Sequence, residues 1–146
     1  MADEHKPTAQ SLRFRVKLDG GADLGNWSKC DGLAVEYDVF EYKEGGENAY
    51  VHRIPGRAKY QNIKLTRPLD KTSADVASWV GGQRQKVERS NAEIAVLDPA
   101  GEVVAKWNLR GVFPVKWTGP SLDATGNQIA IETLELAHNG FLAGGL

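Results

Sequence analysis

The stretch GPSLDATGNQIAIETLELAHNGF, Gly119 to Phe141, reads as a turn followed by one long strand whose apolar residues change step. Ile129 and Ile131 are odd-numbered, whereas Leu134 and Leu136 are even. Successive side chains of a strand point to opposite faces, so one flat strand cannot bury all four on a single side. Either the strand bulges or it passes into a second apolar environment. The stretch GLAVEYDVFEYKEGG behaves the same way. Leu33, Val35, Tyr37 and Val39 share a face opposite Glu36 and Asp38, and the apolar character then moves to the other face at Phe40 and Tyr42.

The rest of the chain fills in a β-rich domain. SLRFRVKLDG alternates Leu12, Phe14, Val16 and Leu18 against Arg13, Arg15 and Lys17, the pattern of a half-buried strand that ends at Gly20 and Gly21. NIKLTR offers Ile63 and Leu65, and AEIAVLD is an apolar run closed by the turn DPAGE. VVAKWNLRG and VFPVKWTGP read as two strands with Gly111 between them. Pro114 has no amide hydrogen, so its strand must be an edge or be bulged there. One helix is predicted over DKTSADVASWV. Thr72 or Ser73 can cap it, Asp75 suits the dipole of its first turn, Val76, Trp79 and Val80 recur at helical spacing, and Gly81-Gly82 weakens or ends it. The fold class is mainly β with some α: a two-sheet sandwich or partly open barrel of about seven strands, with the helix on one flank.

At 146 residues the chain is one ordinary domain, with 41% apolar and 25% charged residues. We read a flexible arm at 1–10, a single domain over 11–142 and a short tail at 143–146. The polar opening MADEHKPTAQ is unlike a signal peptide, and no run approaches membrane-spanning length, so insertion of the subunit into a membrane is not expected. A net charge of −1 disfavours sequence-independent binding to a polyanion. The single cysteine, Cys30, rules out an internal disulfide and multi-cysteine metal motifs, and points to assembly in a reducing cytosol.

No catalytic constellation stands out. His5, His52 and His138 lack metal-ligand spacing, and the 16 glycines form none of the phosphate-binding or nucleophile-elbow motifs. Glu132 and Glu135 lie three apart on a strand and so point to opposite sides. No catalytic residue, metal or cofactor is therefore assigned, and an interaction protein is left. Its second clue is the roughly fifteen-residue loop between strands from Lys43 to Arg57, long for a compact domain and mixing aromatic with charged residues.

The runs FRVKLDG, CDGLAVEYDVFEYKEGGEN, RIPGRAKYQNIKLTRPL and VVAKWNLRGVFPVKWTGPSLDATGNQIAIETLELAHNGF together resemble the tail tube protein family of contractile phage tails and extracellular contractile injection systems. The similarity covers about Leu12 to Phe141. It implies a structural inner-tube subunit, not an enzyme, whose hexameric rings stack into a hollow tube that sheath contraction drives through a target envelope. The implied partners are further copies of the chain, the sheath protein, baseplate, spike and tube-initiator proteins, and cargo DNA or effector protein in the lumen. The particle would be assembled in the bacterial cytoplasm as part of a phage tail or a released injection particle. A tube-initiator or baseplate protein of the same superfamily, or a small β-sandwich binding module, is the alternative.

On this resemblance, the segments Leu33 to Tyr42, Tyr60 to Arg67, Leu109 to Thr118 and Gln128 to His138 are candidates for the channel wall. Lumen-facing candidates are Glu36, Asp38, Asn62, Lys64, Lys116, Gln128 and Glu132. The loop, with Tyr42, Glu44, Tyr50, Val51, Arg53, Ile54 and Pro55, is the candidate bridge to a neighbouring subunit or ring. Ile131 is expected to be buried, so that aspartate there would be costly.

Overall fold

The structure, a computed structural model, describes residues 12–19, 23–42, 51–86, 88–126 and 129–142. The arm at 1–10, the tail at 143–146, and the candidate residues Glu44, Tyr50 and Gln128 lie outside them. In chain order the elements are β1 (Arg13–Leu18), β2 (Asp23–Trp27), β3 (Lys29–Asp31), β4 (Val35–Tyr42), β5 (His52–Tyr60), β6 (Ile63–Pro68), α1 (Ser73–Gly82), β7 (Ser90–Leu97), β8 (Val103–Thr118) and β9 (Ile131–Ala137).

Seven strands form one antiparallel sheet in the order β2-β1-β7-β8-β9-β6-β3. The 16-residue β8 belongs to both of its halves. Its first part, to Val112, pairs with β7, and its last part, from Phe113, pairs with β9. The two ends of the order meet as well, since β2 and β3 are separated only by Ser28, whose amide and hydroxyl both donate to the Thr66 carbonyl. The result is a sandwich bent round one core. Val16, Leu24, Trp27 and Ile94 from one half meet Ile63, Leu65, Leu134 and Leu136 from the other, with Val76 of α1 among them.

The segments read as two strands around Gly111 are one. Gly111 has φ 64°, a conformation that a side chain disfavours, and it sits where β8 changes partner. The backbone at 108–110 there pairs with 139–142, through Arg110 N–H to the Gly140 carbonyl and Leu142 N–H to the Asn108 carbonyl. The expectation for Pro114 holds: the β8/β9 register shifts between Pro114 and Lys116, and β8 has already left β7 at that point. The helix starts after Thr72, carries Asp75 in its first turn and ends at Gly82, but the expected cap is not made, since the Thr72 side chain forms no capping hydrogen bond.

In β9, Glu132, Leu134 and Leu136 are buried, whereas Ile131, and Ile129 shortly before the strand, are exposed. Its ladder with β6 runs from Ile63↔Leu136 to Pro68↔Ile131 without a shift. The strand therefore does not bulge against β6, and its odd-numbered isoleucines face outside the subunit. This corrects the expectation that Ile131 is buried. Truncating the paired core residue, Leu134→Ala, is expected to destabilise the subunit by about 2–5 kcal/mol in urea unfolding. Gly32→Ala should also destabilise it, because Gly32 has φ 97° and an added Cβ would run into the Asn62 carbonyl.

Candidate functional site

The outer face of β3, β6, β9 and the end of β8 is built of cross-strand rows. Residues directly opposite in a ladder share a face. The register places Asp31 beside Lys64, Lys64 beside Glu135, and Glu135 beside Lys116, so charges of alternating sign cross four strands. The next row holds Lys29, Thr66, Thr133 and Thr118. Asn62 donates to Glu135 Oε1 at 3.2 Å, and a shallow depression lies between Lys64, Lys116, Thr118, Thr133 and Glu135. Three of the sequence candidates, Asn62, Lys64 and Lys116, are thus brought together. Asp31 and Glu135 were missed. For Glu135 the signal was available: once Leu134 and Leu136 point inward, it must point outward.

Glu132 belongs elsewhere, and its assignment to the lumen is corrected. It is fully buried, opposite Arg67, which is itself 2% exposed. Arg67 Nε donates to Glu132 Oε2 at 3.0 Å, and its Nη1 donates to the carbonyls of Leu24 and Asn26. The guanidinium stacks 4.0 Å over the Trp27 ring. Glu132 also accepts from Ser73 Oγ at 2.6 Å and Trp117 Nε1 at 2.8 Å. Burial works to raise this carboxyl, but the hydrogen bonds from Ser73, Trp117 and Arg67, with the charge of Arg67, outweigh it and hold the group below its ordinary value.

Of the segment read as a loop, 43–50 lie outside the described residues, and the rest is strand from His52 onward. β4 and β5 form a separate two-stranded sheet, in which Tyr42 faces His52, Phe40 faces Ile54 and Val39 faces Pro55. Arg53, Ile54 and Pro55 are therefore ladder residues, and Val51 directly precedes the strand. An extra residue near Gly56 and Arg57 bulges β5, next to a proline that this edge strand tolerates. Near the root, Val35, Tyr37 and Val39 share a face with Ala58 and Tyr60, while Glu36 and Asp38 share the other with Lys59. Asp38 bonds Lys59 at 2.9 Å, raising the lysine by a hydrogen bond and then by charge. Beyond the bulge the faces exchange character: Phe40, Tyr42 and Ile54 lie on the Asp38 side, and Glu41 and Arg53 lie on the other.

An isolated hairpin of two strands is marginal in water. This one exposes Phe40 by 61% and Tyr37 by 56%, an apolar surface unusual for a free monomer. Tyr60 anchors its root, with its ring centroid 5.7 Å from that of Phe141 and 5.5 Å from that of His138. Burial depresses His138, against hydrogen bonds at Gln61 and Gly140. Burial and then Asp31 push the Cys30 thiol up to about 12, so it is inert. Among the described residues no cluster of histidine, cysteine and carboxylates could hold a metal ion, and no helix is long and apolar enough to cross a membrane.

Strand borders left unpaired among the described residues and an apolar hairpin outside the core are features that suit a subunit of an assembly. The family model described as "T4-like virus tail tube protein gp19" matches residues 10–142, and the chain belongs to this tail tube family. Its similarity to solved structures agrees. It is 28% identical to a chain of the extracellular contractile injection system PVC sheath-tube complex in the extended state, with a TM-score of 0.75 over 95% of this chain and 91% of that one. It is 28% identical to a chain of the anti-feeding prophage cap, the AFP tube-terminating cap, with a TM-score of 0.74 over 97% and 93%. Hcp1 from Flavobacterium johnsoniae, at 13% identity and a TM-score of 0.52 over 91% and 95%, shares the fold. A comparison with curated protein sequences returns no match. The chain is a structural inner-tube subunit.

Replacing Glu132 with Gln leaves the Arg67 charge without its buried counterpart and is expected to cost about 3–5 kcal/mol at neutral pH. Because the folded carboxyl lies below its ordinary value of 4.5, the stabilisation is complete above that pH and is lost as pH falls through the folded value. Denaturant unfolding between neutral and acid pH should show the gap between wild type and Glu132→Gln narrowing below about pH 4.5.

Proposed function

We propose that the chain is the repeating subunit of hexameric rings that stack into a hollow tube, with the charged rows of β3, β6, β9 and β8 forming part of the channel wall. The observation that carries this reading is the pair of open borders on that half of the sheet. Among the described residues β3 pairs only with β6 and the end of β8 only with β9, so hydrogen-bonding edges without a strand partner there flank four strands. Pairing edge to edge with identical neighbours closes the ring and removes the aggregation hazard that open edges present. Six copies of four strands at ~4.8 Å spacing and a tilt of ~40° give a backbone radius of roughly 24 Å, hence a bore about 40 Å wide once side chains are allowed for. Duplex DNA or a small folded protein fits.

In this tube Asn62, Lys64 and Lys116, together with Glu36, Asp38 and the newly placed Asp31 and Glu135, face the lumen. Their mixed signs suit passage rather than retention, since a basic wall would hold DNA phosphates. The hairpin residues Tyr42, Arg53, Ile54 and Pro55, with Val51 beside them, contact a neighbouring copy. The tube works with a contractile sheath, a baseplate and a spike, carries DNA or effector protein, and assembles in the bacterial cytoplasm. Its role is mechanical, not enzymatic. The reading as a tube initiator is less favoured, since the matching family model is that of a tail tube protein.

Purified protein should show rings or tubes by electron microscopy. Labelling Lys116→Cys with a gold–maleimide cluster should place the added density inside the bore. Density on the outer wall would refute the assignment of this face.

A further inference from the structure

The hairpin is fastened to the body of the subunit at one small place. Its two strands pack on each other and scarcely on the other named elements. At its root the Tyr60 ring lies against Phe141 and against the backbone of Gly140, where φ is 127° and an added Cβ would stand 2.9 Å from the ring. His138 completes the group, with its ring centroid 5.5 Å from that of Tyr60 and 5.4 Å from that of Phe141.

The two ring nitrogens of His138 face opposite kinds of partner. Gly140 N–H donates to Nδ1 at 3.1 Å, so Nδ1 is without a proton. Nε2 lies 3.1 Å from the Gln61 carbonyl, which can only accept, so Nε2 carries one. This setting takes one tautomer of the neutral imidazole and no cation, because a proton on Nδ1 would point at the Gly140 N–H. Among the described residues, the titratable group that faces His138 is the Tyr60 phenol. Lys59 is held by Asp38 on the other face of the hairpin, Glu135 is bonded by Asn62 on the outer face of the sheet, and Arg110 meets the 139–140 turn through its backbone.

We propose that His138 is a pH-sensitive clasp for the hairpin: neutral, it ties Gln61 and Tyr60 to the end of β9, and on taking a proton from solvent at Nδ1 it loses the Gly140 bond and releases the hairpin root. The clasp belongs to the single subunit and does not rest on the tube reading. In a tube, acid would loosen the contact that the hairpin makes with a neighbouring copy. Burial, acting against the two hydrogen bonds, holds the folded imidazole below its ordinary value of 6.5, so the released state binds the proton more readily. The clasp is therefore complete above that pH and is lost as pH falls through the folded value.

The test is hydrogen exchange on the full chain between about pH 8 and pH 5, a window that stops short of the range in which Glu132 titrates. Rates are corrected for the intrinsic pH dependence of exchange, and mass photometry confirms one assembly state throughout. Amides of β4 and β5 should lose protection toward acid, by about tenfold for each pH unit separating the folded and released values, while those of β7 keep theirs. His138→Gln offers a donor and an acceptor but takes up no proton in this window, so the pH response should vanish. His138→Phe should leave the hairpin weakly protected at both ends of the window, and His52→Gln should keep the response. Nitrogen NMR shifts of the His138 ring should report the Nε2–H form at neutral pH. Wild-type hairpin protection that ignores pH, a response that survives in His138→Gln or disappears in His52→Gln, or an Nδ1–H ring would overturn the proposal. Should a His138 variant fail to fold, the wild-type exchange and the ring tautomer still decide it.

Discussion

The buried pair Arg67–Glu132 is the constraint on which the subunit depends. A charge taken out of water is tolerated only where it is matched, and here every nearby element supplies part of the match. β2 gives two carbonyls and the Trp27 ring, α1 gives Ser73, and β8 gives Trp117. The pair also bears on register. Sliding β9 by one residue against β6 would bring Thr133 or Ile131 opposite Arg67, turn Glu132 to the outer face and leave the arginine buried without its counterion. With that register fixed, Glu135, Lys64 and Lys116 fall on one outer row, and Ile131 is turned to the exposed face.

The two strands that change step are resolved differently. β9 keeps a single phase, and its out-of-step isoleucines lie at an exposed end. The hairpin truly exchanges faces, with a bulge on β5 beside the crossover. In both cases the second environment is not inside the subunit. Apolar residues are placed where the chain's own core cannot reach them, which is the mark of a fold finished by its neighbours.

Much of this was legible in the sequence. The alternation in SLRFRVKL, the DPAGE turn, the bulge at Pro114 and the helix after Thr72 follow from local chemistry and stand in the structure. The family was legible too, because several long runs agree in order. What escaped was non-local. Val103 to Thr118 was divided at Gly111 because a glycine between apolar runs looks like a turn, whereas here it lets one strand change partners. Glu132 was placed outside because a carboxylate on a strand is ordinarily solvated, and only the three-dimensional meeting with Arg67, Ser73 and Trp117 reverses that preference. His52–Arg57 was read as loop because Pro55 and Gly56 mask a strand whose partner ladder lies ten or so residues back.

The state of Cys30 has a consequence for the assembled object. Only a thiolate attacks a disulfide or a peroxide, and at a value of about 12 this side chain is essentially never one in ordinary surroundings. A tube repeats its subunit many times over, so one reactive thiol per copy would become a dense array of sites for mixed disulfides and random stapling. Held in its neutral form, the sulfur of each copy is a poor nucleophile, which works against such cross-linking.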